Sequence, residues 1–161
     1  FVKDFKQCWY QKGLLGKTND IESSIEYLKN IIPKTTEKLT ALGASAGGFA
    51  AIRFGVALNA DRIIAFSPQT LVDKETARVF SKSCLRDMVF DNFDLDLKEV
   101  LGKYNPKMKI EIYYAAKNNR DKEAADHIKD YTKEFSYETD THLLAAYLKE
   151  NGKLEEILDS I

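Results

Sequence analysis

Ile21, Ile25, Leu28 and Ile32 recur at helical spacing with polar residues between them, and Pro33 closes the run. Asn19 followed by Glu22 reads as a capping box at its start, so the pattern predicts a helix over 21–32. Leu39, Thr40, Ala41 and Leu42 form a short apolar run of the kind a buried strand shows. Residues 47–58 are apolar at nearly every position, which predicts a helix covered on all sides. Residues 62–66 read as the next strand, stopped by Ser67 and Pro68. From Lys109 to Tyr114 polar and apolar residues alternate and run on into Ala115 and Ala116, again a strand. Ala124, Ile128, Tyr131 and Phe135 fall on one face of a helix predicted over 121–135. Thr139 or Asp140 opens a helix to about Glu150, stopped at Gly152, and 153–161 form a short final one. Asp73 caps a helix through about Ser81, Asp96 with Glu99 marks another capping box, and 82–95 shows no clear period. Phe1, Val2 and Phe5 read as the remnant of a strand, and 7–16 as a loop carrying Trp9, Tyr10, Gly13 and Gly16.

Strands alternating with helices imply a parallel sheet covered on both faces. The expected fold is therefore α/β, a three-layer sandwich around a small, mostly parallel sheet. Ligands of such sheets sit at the carboxyl ends of the strands. Ser45, Ser67, the 117–121 turn and the loop before His142 all fall at such ends.

Composition narrows the classes without changing this picture. The 161 residues are expected to form one domain over 1–161, and a chain that starts at Phe1 suggests that N-terminal strands lie upstream. Hydrophobic content of 44% and charged content of 30% are those of a globular protein, and a net charge of −1 points neither to nucleic acid nor to an anionic membrane. No apolar run is long enough to span a bilayer. Two cysteines, Cys8 and Cys84, make no disulfide framework, so a reduced cytoplasmic setting is expected. Oligomeric state is left open. No metal is expected: His127 and His142 are far apart in sequence, and the acidic residues Asp87, Asp91, Asp94 and Asp96 lack the glycine hinge and glutamate of a calcium loop. No cofactor is expected either, because the glycine-rich stretch 43–48 has neither the lysine of a phosphate loop nor the spacing of a dinucleotide fingerprint.

That stretch, Gly43-Ala44-Ser45-Ala46-Gly47-Gly48, fits G-x-S-x-G between a strand and a helix. A serine on such a tight turn is held out as a nucleophile, and the N–H of Ala46 at the helix start is a candidate oxyanion donor. A serine nucleophile needs a base. Of the two histidines, His127 lies mid-helix and His142 lies in a loop or first turn, so His142 is the candidate. Asp121, after the 109–116 strand, is the candidate orienting acid, with a helix N-cap role as its rival and Asp126 and Asp140 as alternatives. Trp9, Tyr10 and Ser67 are candidate substrate-binding residues, Trp9 and Tyr10 being equally suited to the core.

The run from Gly43 through Gly48 into Phe49, Ala50 and Ala51 resembles the nucleophile elbow of the α/β-hydrolase superfamily, and Ser45, Asp121 and His142 follow its chain order. Ala65-Phe66-Ser67-Pro68-Gln69-Thr70, the Thr141-His142 pair leading into Tyr147-Leu148-Lys149, and Trp9-Tyr10-Gln11-Lys12-Gly13 extend the resemblance to compact bacterial hydrolase-like proteins. The resemblance implies a serine esterase acting on a small acyl or acylated carbohydrate substrate. It also implies a second oxyanion N–H from an earlier loop, often marked His-Gly, and no His-Gly precedes Ser45. The rival expectation is a non-catalytic binding domain that keeps the hydrolase fold.

Overall fold

The computed structural model of the chain describes residues 1–75, 77, 95–103 and 108–159. Cys84, Asp87, Asp91, Asp94 and the expected helix beyond Ala77 lie outside the described residues. Four parallel strands, β1 (Thr40–Ala44), β2 (Arg62–Phe66), β3 (Lys109–Ala115) and β4 (Lys133–Tyr137), form one sheet in the order β1-β2-β3-β4. Among the described residues β1 therefore pairs on one side only, and Leu42 on it is half exposed. Among the described residues the named helices are α1 (Ile21–Ile31), α2 (Ala46–Ala57), α3 (Leu97–Lys103), α4 (Asn119–Ile128), α5 (Leu144–Glu150) and α6 (Leu154–Leu158), and residues 74, 75 and 77 are also helical.

Strand alternation builds the layers. Ile63 and Ala65 of β2 and Ile110 and Ile112 of β3 pack with Ile52 and Val56 of α2, Leu97 and Leu101 of α3 and Ala125 and Ile128 of α4. The other side of the same strands, Ile64, Phe66 and Tyr113, packs with Leu144 and Leu148 of α5. Residues 48 to 56 of α2 are all buried, because α1 covers its outer side through Ile21, Ile25 and Leu28 against Ala50 and Phe54. Gly55 is what lets α2 lie close to the sheet: a Cβ there would sit 2.8 Å from Ile63 and 3.0 Å from Ala41.

Glu111 on β3 is almost fully buried yet ionised, with Arg62 and Lys109 on its two oxygens. Burial pushes its carboxyl up, and the hydrogen bonds and charges of Lys109 and Arg62 outweigh that and hold it below the usual range. Burial of the Tyr113 phenol, and then the charge of Glu111, push that phenol up to about 12.

Several sequence expectations change. Residues 121–135 do not form one helix: α4 stops at Ile128, a 3₁₀ turn covers Lys129–Tyr131, and Phe135 lies in β4. The helical spacing of Phe135 is coincidental. Its ring instead stacks on Tyr113 of the neighbouring strand at 4.7 Å, a cross-strand contact that outweighs local pattern. The final long helix starts at Leu144 rather than Thr139, because Thr139 and Thr141 hydroxyls accept from the N–H groups of Thr141 and Leu143 and keep the segment extended. The capping box of α1 uses Asp20 and Ser23, not Asn19 and Glu22. Residues 1–5 form no strand, and Phe1 and Phe5 are exposed.

Candidate active site

Ser45 is the single residue between β1 and α2. Its backbone sits at φ 54°, ψ −121°, a left-handed conformation that costs a non-glycine residue about 1–3 kcal/mol. Three bonds hold it there: its N–H donates to Phe66 O at 2.9 Å, and its carbonyl accepts from Phe49 N at 3.1 Å and Gln69 N at 3.4 Å. The turn is tight enough that a Cβ on Gly43 would lie 2.0 Å from Gly47 O, so that glycine is obligatory. Gly48 is similarly close to Pro68, at 2.9 Å.

His142 lies in the loop before α5. Its Nε2 is 2.8 Å from Ser45 Oγ and its Nδ1 is 2.6 Å from Asp121 Oδ1. A carboxylate only accepts, so Nδ1 carries the proton and Nε2 presents its lone pair to the serine hydroxyl. Asp121 is buried in the first turn of α4, while Asn118 caps that helix by accepting from Asp121 N. The capping role weighed for Asp121 thus belongs to Asn118, and the Asp121 side chain is turned to the histidine. Asp140 serves the same turn through its carbonyl, which accepts from Asn118 Nδ2 at 3.0 Å, and Asp126 pairs with Lys122.

His127 is engaged elsewhere. Its Nδ1 is 3.2 Å from Thr70 Oγ1 and its Nε2 is 3.4 Å from Asp96 Oδ1. Burial lowers its pKa below the ordinary histidine value, Asp96 opposes that and Lys98 adds to it.

Ala46 is the first residue of α2, so its N–H has no acceptor within the helix and stands beside the serine at the positive helix end. A cleft of about 380 Å³ borders Asp121 and His142 and is walled by Gln69, Thr70 and Leu71 on one side and Arg120, Ala124 and His127 on the other. Trp9 and Tyr10 are placed in the core and not on its walls. Trp9 is 2% exposed, packs in the cluster of Phe49, and donates its indole N–H to Gln69 Oε1. Tyr10 is 5% exposed and meets Phe54 edge-on at 5.2 Å. Ser67 is 1% exposed, closed to solvent, at φ 40°. Gln69 borders the site as its place just after a parallel strand suggests, and Thr70, one residue on, is a cleft residue that the same signal marks but that was not singled out from the sequence.

No protein-family model and no curated protein sequence matches the chain. Solved structures do. The capsule O-acetyltransferase of Neisseria meningitidis serogroup A superimposes with a TM-score of 0.61 at 22% identity over 81% of this chain and 60% of that one. A mutant of the same enzyme in complex with CoA gives 0.63 at 17% identity over 91% and 68%. An S-formylglutathione hydrolase from Agrobacterium tumefaciens gives 0.51 at 9% identity over 82% and 53%. These likenesses define the fold as hydrolase-like α/β. The chain spans about three fifths of the length of the O-acetyltransferase.

Proposed function

We propose that the chain is a serine hydrolase, a carboxylic-ester hydrolase for small acyl or acylated carbohydrate substrates. The observation that carries this reading is the linear arrangement Ser45 Oγ, His142 Nε2, His142 Nδ1, Asp121 Oδ1, with gaps of 2.8 and 2.6 Å. Ser45 Oγ attacks the acyl carbonyl as its proton passes to His142 Nε2. The oxygen that gains the charge accepts from Ala46 N–H. His142 then returns the proton to the departing alkoxide, leaving acyl-Ser45, and activates the water that releases the acid. Asp121 holds the imidazole in the required tautomer and stabilises its charged form. None of these steps calls for a cofactor. Trp9 and Tyr10 act at one remove, by fixing Gln69 and α2 behind the nucleophile.

The acyl group on Ser45 can also pass to a carbohydrate hydroxyl in place of water. The fold likeness to an O-acetyltransferase supports keeping that acceptor in view. A fluorophosphonate probe tests the central reading. It forms a stable adduct at Ser45 if the serine is activated, and an unlabelled chain would favour the non-catalytic binding domain. Running ester turnover with and without added sugar, and counting acylated sugar against free acid, separates the two acceptors.

Asp121→Asn lowers kcat about a thousandfold or more with little change in melting temperature, because an amide cannot stabilise the imidazolium and favours the wrong tautomer. Since Asn118 provides the cap, helix stability is not at stake. Near-normal kcat in this variant would remove Asp121 from the mechanism.

A further inference from the structure

Five buried side-chain atoms among the described residues make no hydrogen bond, and three of them belong to the segments that follow β2 and β3: Ser67 Oγ, Gln69 Nε2 and Asp121 Oδ2. Leaving such a group unpaired is unfavourable, so three of them on the segments that carry the reacting groups call for a functional account. The Ser67 hydroxyl and the Gln69 amide can both donate, and the carboxylate only accepts. The Gln69 amide is oriented by Trp9 through Oε1, whereas the Ser67 hydroxyl can turn, so Ser67 Oγ and Asp121 Oδ2 are the pair considered.

The sheet brings these two together. Ser45 follows β1 and Asp121 follows β3, and the imidazole of His142 spans between them. The strand between β1 and β3 is β2, with neighbouring strands about 4.8 Å apart. Ser67 is the first residue after β2, so it leaves the sheet between the strand that leads to the nucleophile and the strand that leads to the acid. Its backbone is fixed at a φ of 40° by Ser67 N–H donating to Tyr113 O at 2.7 Å. Ser67 Oγ and Asp121 Oδ2 are both closed to solvent, so water from the cleft does not satisfy either.

We propose that Ser67 is a positioning residue, whose hydroxyl turns about its single side-chain torsion to donate to Asp121 Oδ2. A carboxylate held only through Oδ1 can swing about its last torsion; a donor on the second oxygen fixes the plane in which Oδ1 meets His142 Nδ1. This inference rests on the assignment of Ser45, His142 and Asp121 given above. Asp121 thus has two partners of different kinds, an imidazole N–H and a hydroxyl, which is what a buried carboxylate needs to remain charged.

Ser67→Ala tests this, with Ser67→Gly as the second variant should alanine at this φ fold poorly. Both lack the hydroxyl, and glycine also relieves the backbone. The expected result is a fall in kcat of about tenfold with KM almost unchanged, because the loss is felt when the imidazolium forms. The second readout is the downfield proton resonance of His142 Nδ1–H in the free protein, which shifts or broadens in both variants. A hydroxyl that only fills space predicts the opposite: an unchanged resonance, unchanged kcat, and a melting temperature that stays level or rises as an unpaired polar atom is removed. That outcome overturns the proposal. The proton resonance needs no turnover, so it reads the Ser67–Asp121 bond even if the wild-type chain hydrolyses no ester, a result that would instead fall on the functional reading.

Discussion

Ser45→Ala abolishes turnover of short-chain p-nitrophenyl esters, with a loss of about ten-thousandfold or more in kcat, while the far-ultraviolet spectrum and melting temperature hold. The size of the loss follows from the role: no other side chain in the arrangement can form the covalent intermediate. The fold survives because only one hydroxyl is removed, its bond to His142 is at a partly exposed site, and the backbone bonds to Phe66, Phe49 and Gln69 remain. Ser45→Gly sharpens the test. It is equally inactive, but it melts higher than Ser45→Ala, because glycine adopts a φ of 54° without strain. Wild-type turnover in either variant would end the nucleophile assignment.

His142→Ala lowers kcat about a thousandfold or more, whereas His127→Ala stays within about tenfold of wild type. Both residues border the same cleft, so proximity to substrate does not distinguish them. Geometry does. His142 Nε2 faces the serine at 2.8 Å with its far nitrogen on Asp121, while His127 has Thr70 and Asp96 on its two nitrogens. Loss of His127 removes the contact between α4 and the start of α3, so its effect is read in melting temperature. If His127→Ala is the dead variant and His142→Ala is active, the assignment of the base is reversed.

What the sequence made legible were features with a local cause. Glycines at 43 and 48 around a serine announce a turn with close approaches that a Cβ would fill, as the Gly43 and Gly48 contacts show, whereas a Cβ at Gly47 would meet open space. The limits of β2, residues 62–66, were readable because Ser67 and Pro68 end a continuous apolar run. The choice of His142 over His127 followed from its loop position. What escaped was set by distant contacts. β4 was hidden within an apparent helical stripe because Phe135 is placed by Tyr113, more than twenty residues earlier. The late start of α5 depends on threonine hydroxyls that bond back to the main chain. The burial of Trp9 depends on Phe49 and Gln69, which sequence spacing does not bring to it.

The one-sided pairing of β1 among the described residues has a consequence for how the site in this 161-residue chain ages under thermal stress. Within the described sheet the strand that carries the nucleophile is laddered to one neighbour, while β2 and β3 are laddered to two. Local opening therefore begins at lower free energy in β1 than in β2 or β3. Amide hydrogens of β1 exchange with deuterium ahead of those of β2, and the alignment of Ser45 with His142 is lost in such openings while the core around Ile52, Ile63 and Ile112 stays closed. Heat inactivation then runs ahead of global melting, and a ligand that bridges Ser45 and the cleft slows exchange in β1 more than in β2 or β3.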